Sequence, residues 1–147
     1  MDILGYEFME DRYYDKEHNW IKKEGDAVRI GVTEFFQKMA NEIIFVDLPA
    51  AGRALEAGKP FASVESGKWV GRIKTTIDGA ITDNNKELGD FPYLVNESPY
   101  DEGWMILVTP SDPGFSASLL DITVPEQKQA YEDYLLAEKQ RIEKMAE

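Results

Sequence analysis

Residues 63–75 read Ser-Val-Glu-Ser-Gly-Lys-Trp-Val-Gly-Arg-Ile-Lys-Thr, a pattern typical of a β-hairpin. Two runs of strand-forming residues, 61–65 and 69–75, are separated here by only Ser66, Gly67 and Lys68, a length typical of a β-hairpin loop. We therefore expect Lys68 at or beside the tip of a hairpin. A lysine in that position could bind phosphate, neutralise a carboxylate, carry a covalent group or simply remain solvated.

Short strand-like runs recur along the chain on both sides of this hairpin. The other predicted strands cover residues 19–24, 27–32, 42–48, 80–83 and 104–109. The first two flank Gly25 and Asp26 and form a second hairpin, and the β-branched run before Pro49 predicts a buried strand. Short strands at this spacing predict a mainly β fold, a flattened barrel or β-sandwich of antiparallel strands.

Two helices complete the predicted fold. Thr33 is placed to cap a short internal helix over residues 33–40. The chain ends in an amphipathic pattern over residues 125–146, with a possible capping box at Thr123 and Glu126. This C-terminal helix could pack on the sheets or form a dimer seam. We expect residues 1–12 to be an N-terminal extension, 13–112 the β domain, and 113–147 a linker and the C-terminal helix.

Composition excludes several classes of function. The net charge is −12, from 28 acidic and 16 basic residues. This charge repels nucleic acid and anionic lipid. It could serve solubility alone, or it could attract a partner protein with a basic docking face. There is no cysteine and only one histidine, His18, so a thiolate site, a zinc site or a histidine-dependent triad is not expected, and no metal is predicted. The acidic N-terminus and the lack of an 18-residue apolar run predict no signal peptide, no membrane span and a cytoplasmic protein.

The residues around Lys68 narrow its chemistry further. A phosphate-binding loop would need glycine at position 62 and serine or threonine at position 69, where this chain has Ala62 and Trp69. The remaining alternatives are a solvated charge and an attachment point. Acylation of an exposed tip lysine removes the charge and keeps the long, mobile stem, which suits a carrier.

Four stretches together resemble the glycine cleavage H protein and its relatives in the lipoyl-carrier superfamily. They are residues 14–20, 31–49, 64–68 and 94–104, in the family's order. The resemblance implies a barrel-sandwich hybrid of the lipoyl-domain type over residues 13–112, with lipoate attached to Lys68. The attached group would bring two reactive sulfurs to a chain that has none from cysteine. Biotin carriers share the fold but place methionine on both sides of their lysine, unlike Gly67 and Trp69.

The resemblance also suggests roles for neighbouring residues. Glu65 and Gly67 are expected to serve in recognition and in the turn, where Gly67 would allow positive φ if the turn needs it. Trp69 could cover the core or contact the arm or a client enzyme. Arg72 is a candidate contact for an anionic substrate or a partner in a surface ion pair, and His18 is a candidate contact or a structural residue.

The order Trp-Val-Gly-Arg after the lysine resembles the H-protein-like lipoate-binding proteins of a heterodisulfide-reductase-like sulfur-oxidation system. That resemblance implies a carrier of sulfur intermediates rather than an enzyme. Its partners would be a lipoate ligase, the heterodisulfide-reductase-like subunits and a dihydrolipoamide dehydrogenase. The alternatives are an H protein that carries the aminomethyl group among the glycine cleavage enzymes, and an unlipoylated binding module. A monomer is expected in each case.

Overall fold

A computed structural model describes residues 1–145 of the chain. The strands are β1 (Asp2–Ile3), β2 (Tyr6–Glu7), β3 (Tyr13–Tyr14), β4 (Asn19–Glu24), β5 (Ala27–Val32), β6 (Ile43–Asp47), β7 (Ala54–Leu55), β8 (Pro60–Ser66), β9 (Val70–Lys74), β10 (Gly79–Asn84) and β11 (Ile106–Pro110). The helices are α1 (Glu34–Ala40), α2 (Glu87–Asp90), α3 (Leu94–Glu97) and α4 (Pro125–Met145), with a 3-10 turn at Phe115–Ser118. The predicted mainly β fold with a short internal helix and a C-terminal helix is confirmed.

The strands form a small hairpin and two larger antiparallel sheets. The six-stranded sheet has the order β3-β4-β5-β11-β10-β7, and the three-stranded sheet has the order β6-β8-β9. Alternate side chains of both sheets point inward, among them Ile21 and Ile30 from the larger sheet and Val64 and Ile73 from the smaller one. Each buried aliphatic side chain contributes about 1.5 to 3 kcal/mol, so this shared core holds the three-stranded sheet, and with it the β8–β9 hairpin, in place.

A second, aromatic core attaches the C-terminal helix to the body of the protein. Phe8 lies edge-on to Tyr14 and Tyr131, with ring centroids 5.4 Å apart in both pairs. Tyr131 and Leu135 of α4 are fully buried in this cluster. The amphipathic face of α4 therefore packs against the N-terminal segment and the larger sheet. Of the two arrangements predicted for this helix, packing on the sheets and a dimer seam, the structure shows packing. No helix within residues 1–145 is long and apolar enough to cross a membrane.

Local signals for turns and caps were accurate in the first half of the chain. The hairpin of β4 and β5 has the predicted bounds, and Thr33 accepts a hydrogen bond from the backbone N–H of Phe36. The capping box before α4 is wrong, because the hydroxyl of Thr123 donates to Asp121 instead (2.6 Å) and α4 begins at Pro125. Residue 146, the predicted last residue of this helix, lies outside the described residues.

The expectation of a buried strand at residues 42–48 is wrong in part. β6 forms, but it lies at an edge of the three-stranded sheet and its register shifts between Ile43 and Phe45. Ile44 and Phe45 are consequently exposed at 56% and 54%. β7 and α3 were not predicted, since each is a short element whose pairing or packing depends on distant residues.

Asp15 gives the fold a predictable response to pH. Its carboxylate is buried and accepts hydrogen bonds from the backbone N–H groups of Glu17 and Asn19. Burial raises the pKa of Asp15 from 3.8 to about 6, against the lowering effect of those hydrogen bonds. The folded protein therefore keeps a proton that the unfolded chain loses, and the free energy of unfolding falls by up to about 3 kcal/mol as pH rises from about 4 to about 6.

The variant Asp15→Asn is expected to lose this part of the pH dependence, because its side-chain oxygen still accepts both backbone bonds but no longer titrates. Urea unfolding at several pH values from 4 to 7.5 measures the effect. Asp26→Asn, an exposed acid in the β4–β5 turn, serves as the control. A difference between Asp15→Asn and the parent protein that stays constant across that range would contradict the assignment.

Candidate functional site

The tip of the β8–β9 hairpin is a tight turn with Gly67 and Lys68 at its centre. The backbone N–H of Ser66 donates to the carbonyl of Trp69 (2.8 Å), and the reverse bond is 3.5 Å long. The N–H of Lys68 faces the hydroxyl of Ser66 (3.4 Å). Two neighbouring strands of a packed sheet thus hold Lys68 on a rigid base at the end of the hairpin, where the sequence predicts it.

The side chain of Lys68 is exposed. None of the ion pairs within residues 1–145 includes it. An amine that is neither buried nor paired with a carboxylate can be reached by an acylating enzyme, and its four-carbon stem can move once the amide has formed.

Gly67 does not adopt the positive φ that a glycine in this turn would allow. Its φ lies outside the left-handed region, and a Cβ at this position would meet no atom within 4 Å. The turn therefore does not need glycine for positive φ. What glycine provides is a bare surface beside Lys68.

Trp69 turns back along β9 and covers Gly71. A Cβ on Gly71 would come within 2.1 Å of the indole ring, which also lies edge-on to Phe36 at 5.8 Å. The side chain is 43% exposed. Trp69 thus packs on one face and is open on the other, directly beside Lys68.

Gly71→Ala is expected to push the indole of Trp69 off β9. Because that ring is the far end of a partly exposed side chain, the free energy of unfolding should change by less than about 1 kcal/mol. The measurement is the indole N–H resonance of Trp69, which should move to a solvent-exposed position. Gly67→Ala is the matched control and should leave this resonance in place. An unchanged Trp69 resonance in Gly71→Ala would show that the packing is different.

A groove of about 520 Å³ begins at Lys68. Phe36 and Met39 of α1 line one side, Trp69 lines the hairpin side, and Ile142 near the end of α4 lines the third. Small-molecule sites commonly have volumes of roughly 300 to 1,000 Å³ and mostly apolar walls. The groove therefore has the size and character to receive a short apolar chain attached to Lys68.

A polar cluster borders the same groove. The carboxylate of Glu138 accepts hydrogen bonds from Tyr134 (2.9 Å) and from Nε of Arg141 (2.7 Å), and it lies 3.5 Å from Nε2 of His18. The ring of His18 stacks on Phe35 at 5.3 Å. Burial lowers the pKa of His18, opposed by Glu138, so the imidazole is neutral near pH 7.

The structure brings some of the predicted residues together and separates others. His18, Lys68 and Trp69 all line the groove. Glu65 lies on the exposed side of β8, and Arg72 points to the face of β9 opposite Gly71, where it does not line the groove. Arg72 also makes no ion pair within residues 1–145.

Several groove residues were missed by sequence reasoning. Phe36 and Met39 belong to the apolar face of α1 and Ile142 to that of α4, so helical spacing alone accounts for all three. Arg141 gave no signal, because a charged residue beside an amphipathic face is ordinarily solvated. The spacing that predicts a helix does not show which distant hairpin meets its end.

These residues fit a covalently attached acyl arm. Lys68 offers an accessible amine, and the groove beside it offers apolar walls. No group of three or more His, Cys, Asp or Glu side chains that could hold a metal occurs within residues 1–145. The fold and the site together define a carrier of a covalently attached group.

Comparison with known proteins identifies the family. The model of the family described as "Glycine cleavage H-protein" matches residues 12–134. The glycine cleavage system H protein of Halalkalibacterium halodurans is 50% identical over 99 residues, which cover 67% of this chain and 77% of that protein. The corresponding protein of Anoxybacillus flavithermus is 46% identical over 114 residues, 78% of this chain and 90% of that one.

A solved structure agrees with these sequence matches. The crystal structure of a glycine cleavage system H protein from Mycobacterium marinum superposes with a TM-score of 0.67 at 32% identity, covering 71% of this chain and 87% of that one. The chain belongs to the glycine cleavage H-protein family. H proteins are lipoyl carriers rather than enzymes, and they hold lipoate covalently on a lysine. The resemblance to the lipoyl-carrier superfamily is thereby confirmed, and the narrower link to sulfur oxidation stays a prediction.

Proposed function

We propose that Lys68 is the lipoylated residue and that the protein serves as the H protein of a glycine cleavage system, carrying the aminomethyl group between its enzymes. The observation that carries this proposal is the exposed amine of Lys68 at a rigid hairpin tip beside an apolar groove, in no ion pair with any residue of 1–145. The relatives described above are named as glycine cleavage system H proteins, which favours this pathway.

Glu65 is proposed to help a lipoate ligase recognise the hairpin. It lies in register between Phe45 and Val70 on neighbouring strands, and all three side chains are exposed. An enzyme that encloses the amine of Lys68 must cover this row, which offers it apolar contacts around one negative charge. Gly67 keeps the approach to the amine free of a side chain.

The proposed partners are a lipoate ligase, a dihydrolipoamide dehydrogenase, and the glycine decarboxylase and aminomethyltransferase of the pathway. The net charge of −12 would speed association with client enzymes that have a basic docking face. We further propose a cytoplasmic monomer without nucleic-acid or membrane partners. The division into an extension (1–12), a lipoyl-type domain (13–112) and a linker with the C-terminal helix (113–147) is likewise a proposal.

A second candidate is a carrier of sulfur intermediates for a heterodisulfide-reductase-like system. Two observations favour it: the Trp-Val-Gly-Arg sequence after Lys68, and the guanidinium of Arg141 on the groove wall. Arg141 is ion-paired with Glu138 (2.7 Å), and the remaining N–H groups of its guanidinium are donors that suit an anionic sulfur species.

The glycine–bicarbonate exchange reaction separates the candidates. The lipoylated chain is assayed with purified glycine decarboxylase and aminomethyltransferase, beside the H protein of Halalkalibacterium halodurans as positive control. We expect exchange within about tenfold of the control, a loss of at most about 1.4 kcal/mol in transition-state free energy.

A lipoylated chain without exchange activity would redirect the search for its client enzymes. If the lipoylated chain supports no exchange while the control protein does, the glycine assignment fails, and binding to heterodisulfide-reductase-like subunits becomes the next assay. A chain that acquires no lipoyl group at all would leave the unlipoylated binding module as the remaining function.

A further inference from the structure

The turn at the tip of the β8–β9 hairpin is not the kind that two-residue hairpin loops favour. Such loops normally have a positive φ at their first central residue, because that twist matches the twist of the strands, whereas turns without it splay the strands apart. No residue from Pro60 to Lys74 has a positive φ. The tip closes unevenly: the N–H of Ser66 donates to the carbonyl of Trp69 at 2.8 Å, but the reverse bond is 3.5 Å long.

The β4–β5 hairpin shows the difference. Its two-residue loop begins with Gly25, whose φ is +64°, and Glu24 and Ala27 pair directly across it. That loop is therefore of the favoured kind. The β8–β9 hairpin lacks this conformation although Gly67 stands at the equivalent position, so contacts outside the turn have to hold its geometry.

Trp69 supplies such a contact. Its indole folds back over Gly71 so closely that a Cβ there would overlap the ring, and it lies edge-on to Phe36 of α1 with ring centroids 5.8 Å apart. The helix is a firm support, because the neighbouring Phe35 is fully buried and Thr33 caps the first turn. The indole therefore ties the residue that follows the turn to a helix anchored in the core.

We propose that Trp69 is a positioning residue for lipoylation: by clamping the tip of the hairpin against α1, it keeps the amine of Lys68 in the direction from which an acylating enzyme reaches it. Gly71 is the second part of the clamp, because only a residue without a side chain leaves room for the indole on β9. This inference rests on the proposed attachment of lipoate to Lys68 but not on either pathway. The clamp acts on the free amine, before the arm is attached.

Releasing the clamp is expected to weaken recognition without slowing the chemical step. An unclamped tip spends part of its time in conformations that the acylating enzyme does not bind, and the apparent affinity falls in proportion to the competent fraction. The amine itself is unchanged once it is bound. We therefore expect a higher KM for the protein substrate and an unchanged kcat. Loss of an edge-on aromatic contact shifts such an equilibrium by roughly three- to tenfold.

Steady-state lipoylation by a purified lipoate ligase, followed by intact mass with the unmodified protein as the varied substrate, measures the effect. Trp69→Ala removes the indole, and Gly71→Ala keeps the indole but displaces it from β9. Both should raise KM by roughly three- to tenfold. Trp69→Phe keeps an aromatic ring beside Phe36 and should restore most of the parent value. Gly89→Ala, which adds a methyl group where no atom lies within 4 Å, should behave as the parent protein.

The Gly71→Ala variant separates a clamp from a direct contact with the ligase. If Trp69 acted by touching the ligase, its displaced and more exposed indole would still be available in this variant. The KM would then stay at the parent value or fall below it, and either result would overturn the proposal.

Amide hydrogen exchange tests the clamp without any lipoylation. The N–H of Ser66 donates across the turn, and it should exchange roughly three to ten times faster in Trp69→Ala and in Gly71→Ala than in the parent protein. An unchanged rate would refute the clamp. If the native chain acquires no lipoyl group, intact mass refutes the proposed function, and the exchange rate of Ser66 alone then decides whether the hairpin is clamped.

Discussion

Replacing Lys68 with arginine is expected to abolish carrier activity completely while leaving the fold intact. A guanidinium keeps the positive charge but does not accept the acyl group as an amine does. Because the chain has no cysteine, losing the attached group also removes every reactive sulfur except the thioethers of methionine. Exchange activity with the client enzymes should fall to the background measured without carrier.

The control for this variant is Lys23→Arg, which changes an exposed lysine at the end of the other hairpin, β4–β5. Its activity should match that of the parent protein, and urea unfolding of both variants should follow the parent curve. Measurable exchange above background in Lys68→Arg would show that another lysine carries the group.

Phe8→Ala is expected to destabilise the protein by about 3 to 5 kcal/mol, the usual cost of emptying a buried phenylalanine site. Phe8 is fully buried and joins the N-terminal segment to Tyr14 and to Tyr131 of α4 through edge-on aromatic contacts. The cavity would therefore form at the point where α4 is anchored. Urea unfolding measures the loss of stability.

The matched control is Phe91→Ala, which removes the same side chain from a site that is 46% exposed and should cost far less. Amide exchange provides a second measurement, because loosening the anchor should also speed exchange in the last turns of α4, including Ile142. A loss of less than about 1 kcal/mol in Phe8→Ala would show that the aromatic core is not what holds the helix.

Sequence patterns predicted the elements whose determinants are local. Gly25 and Asp26 mark a turn by their own conformational preferences, and Thr33 caps α1 with an atom three residues from its partner. The β8–β9 hairpin follows from two strand-forming runs and a short loop. The exposure of Ile44 and Phe45 could not be read in the same way, because it depends on β6 being an edge strand.

The sequence predicted Lys68 but not the groove beside it. Lys68 stands out through its neighbours in sequence, whereas the groove arises where α1, the β8–β9 tip and the end of α4 meet. Lys68 and Arg141 are 73 positions apart, and no local pattern joins them. The raised pKa of Asp15 escaped prediction for the same reason, since it reflects burial under distant elements.

Peptide mass mapping of the chain coexpressed with a lipoate ligase tests whether Lys68 carries the lipoyl group. We expect a single lipoyl group per chain, located on Lys68 by fragmentation and absent from Lys68→Ala. An unmodified chain, or a lipoyl group that persists in Lys68→Ala, would contradict it.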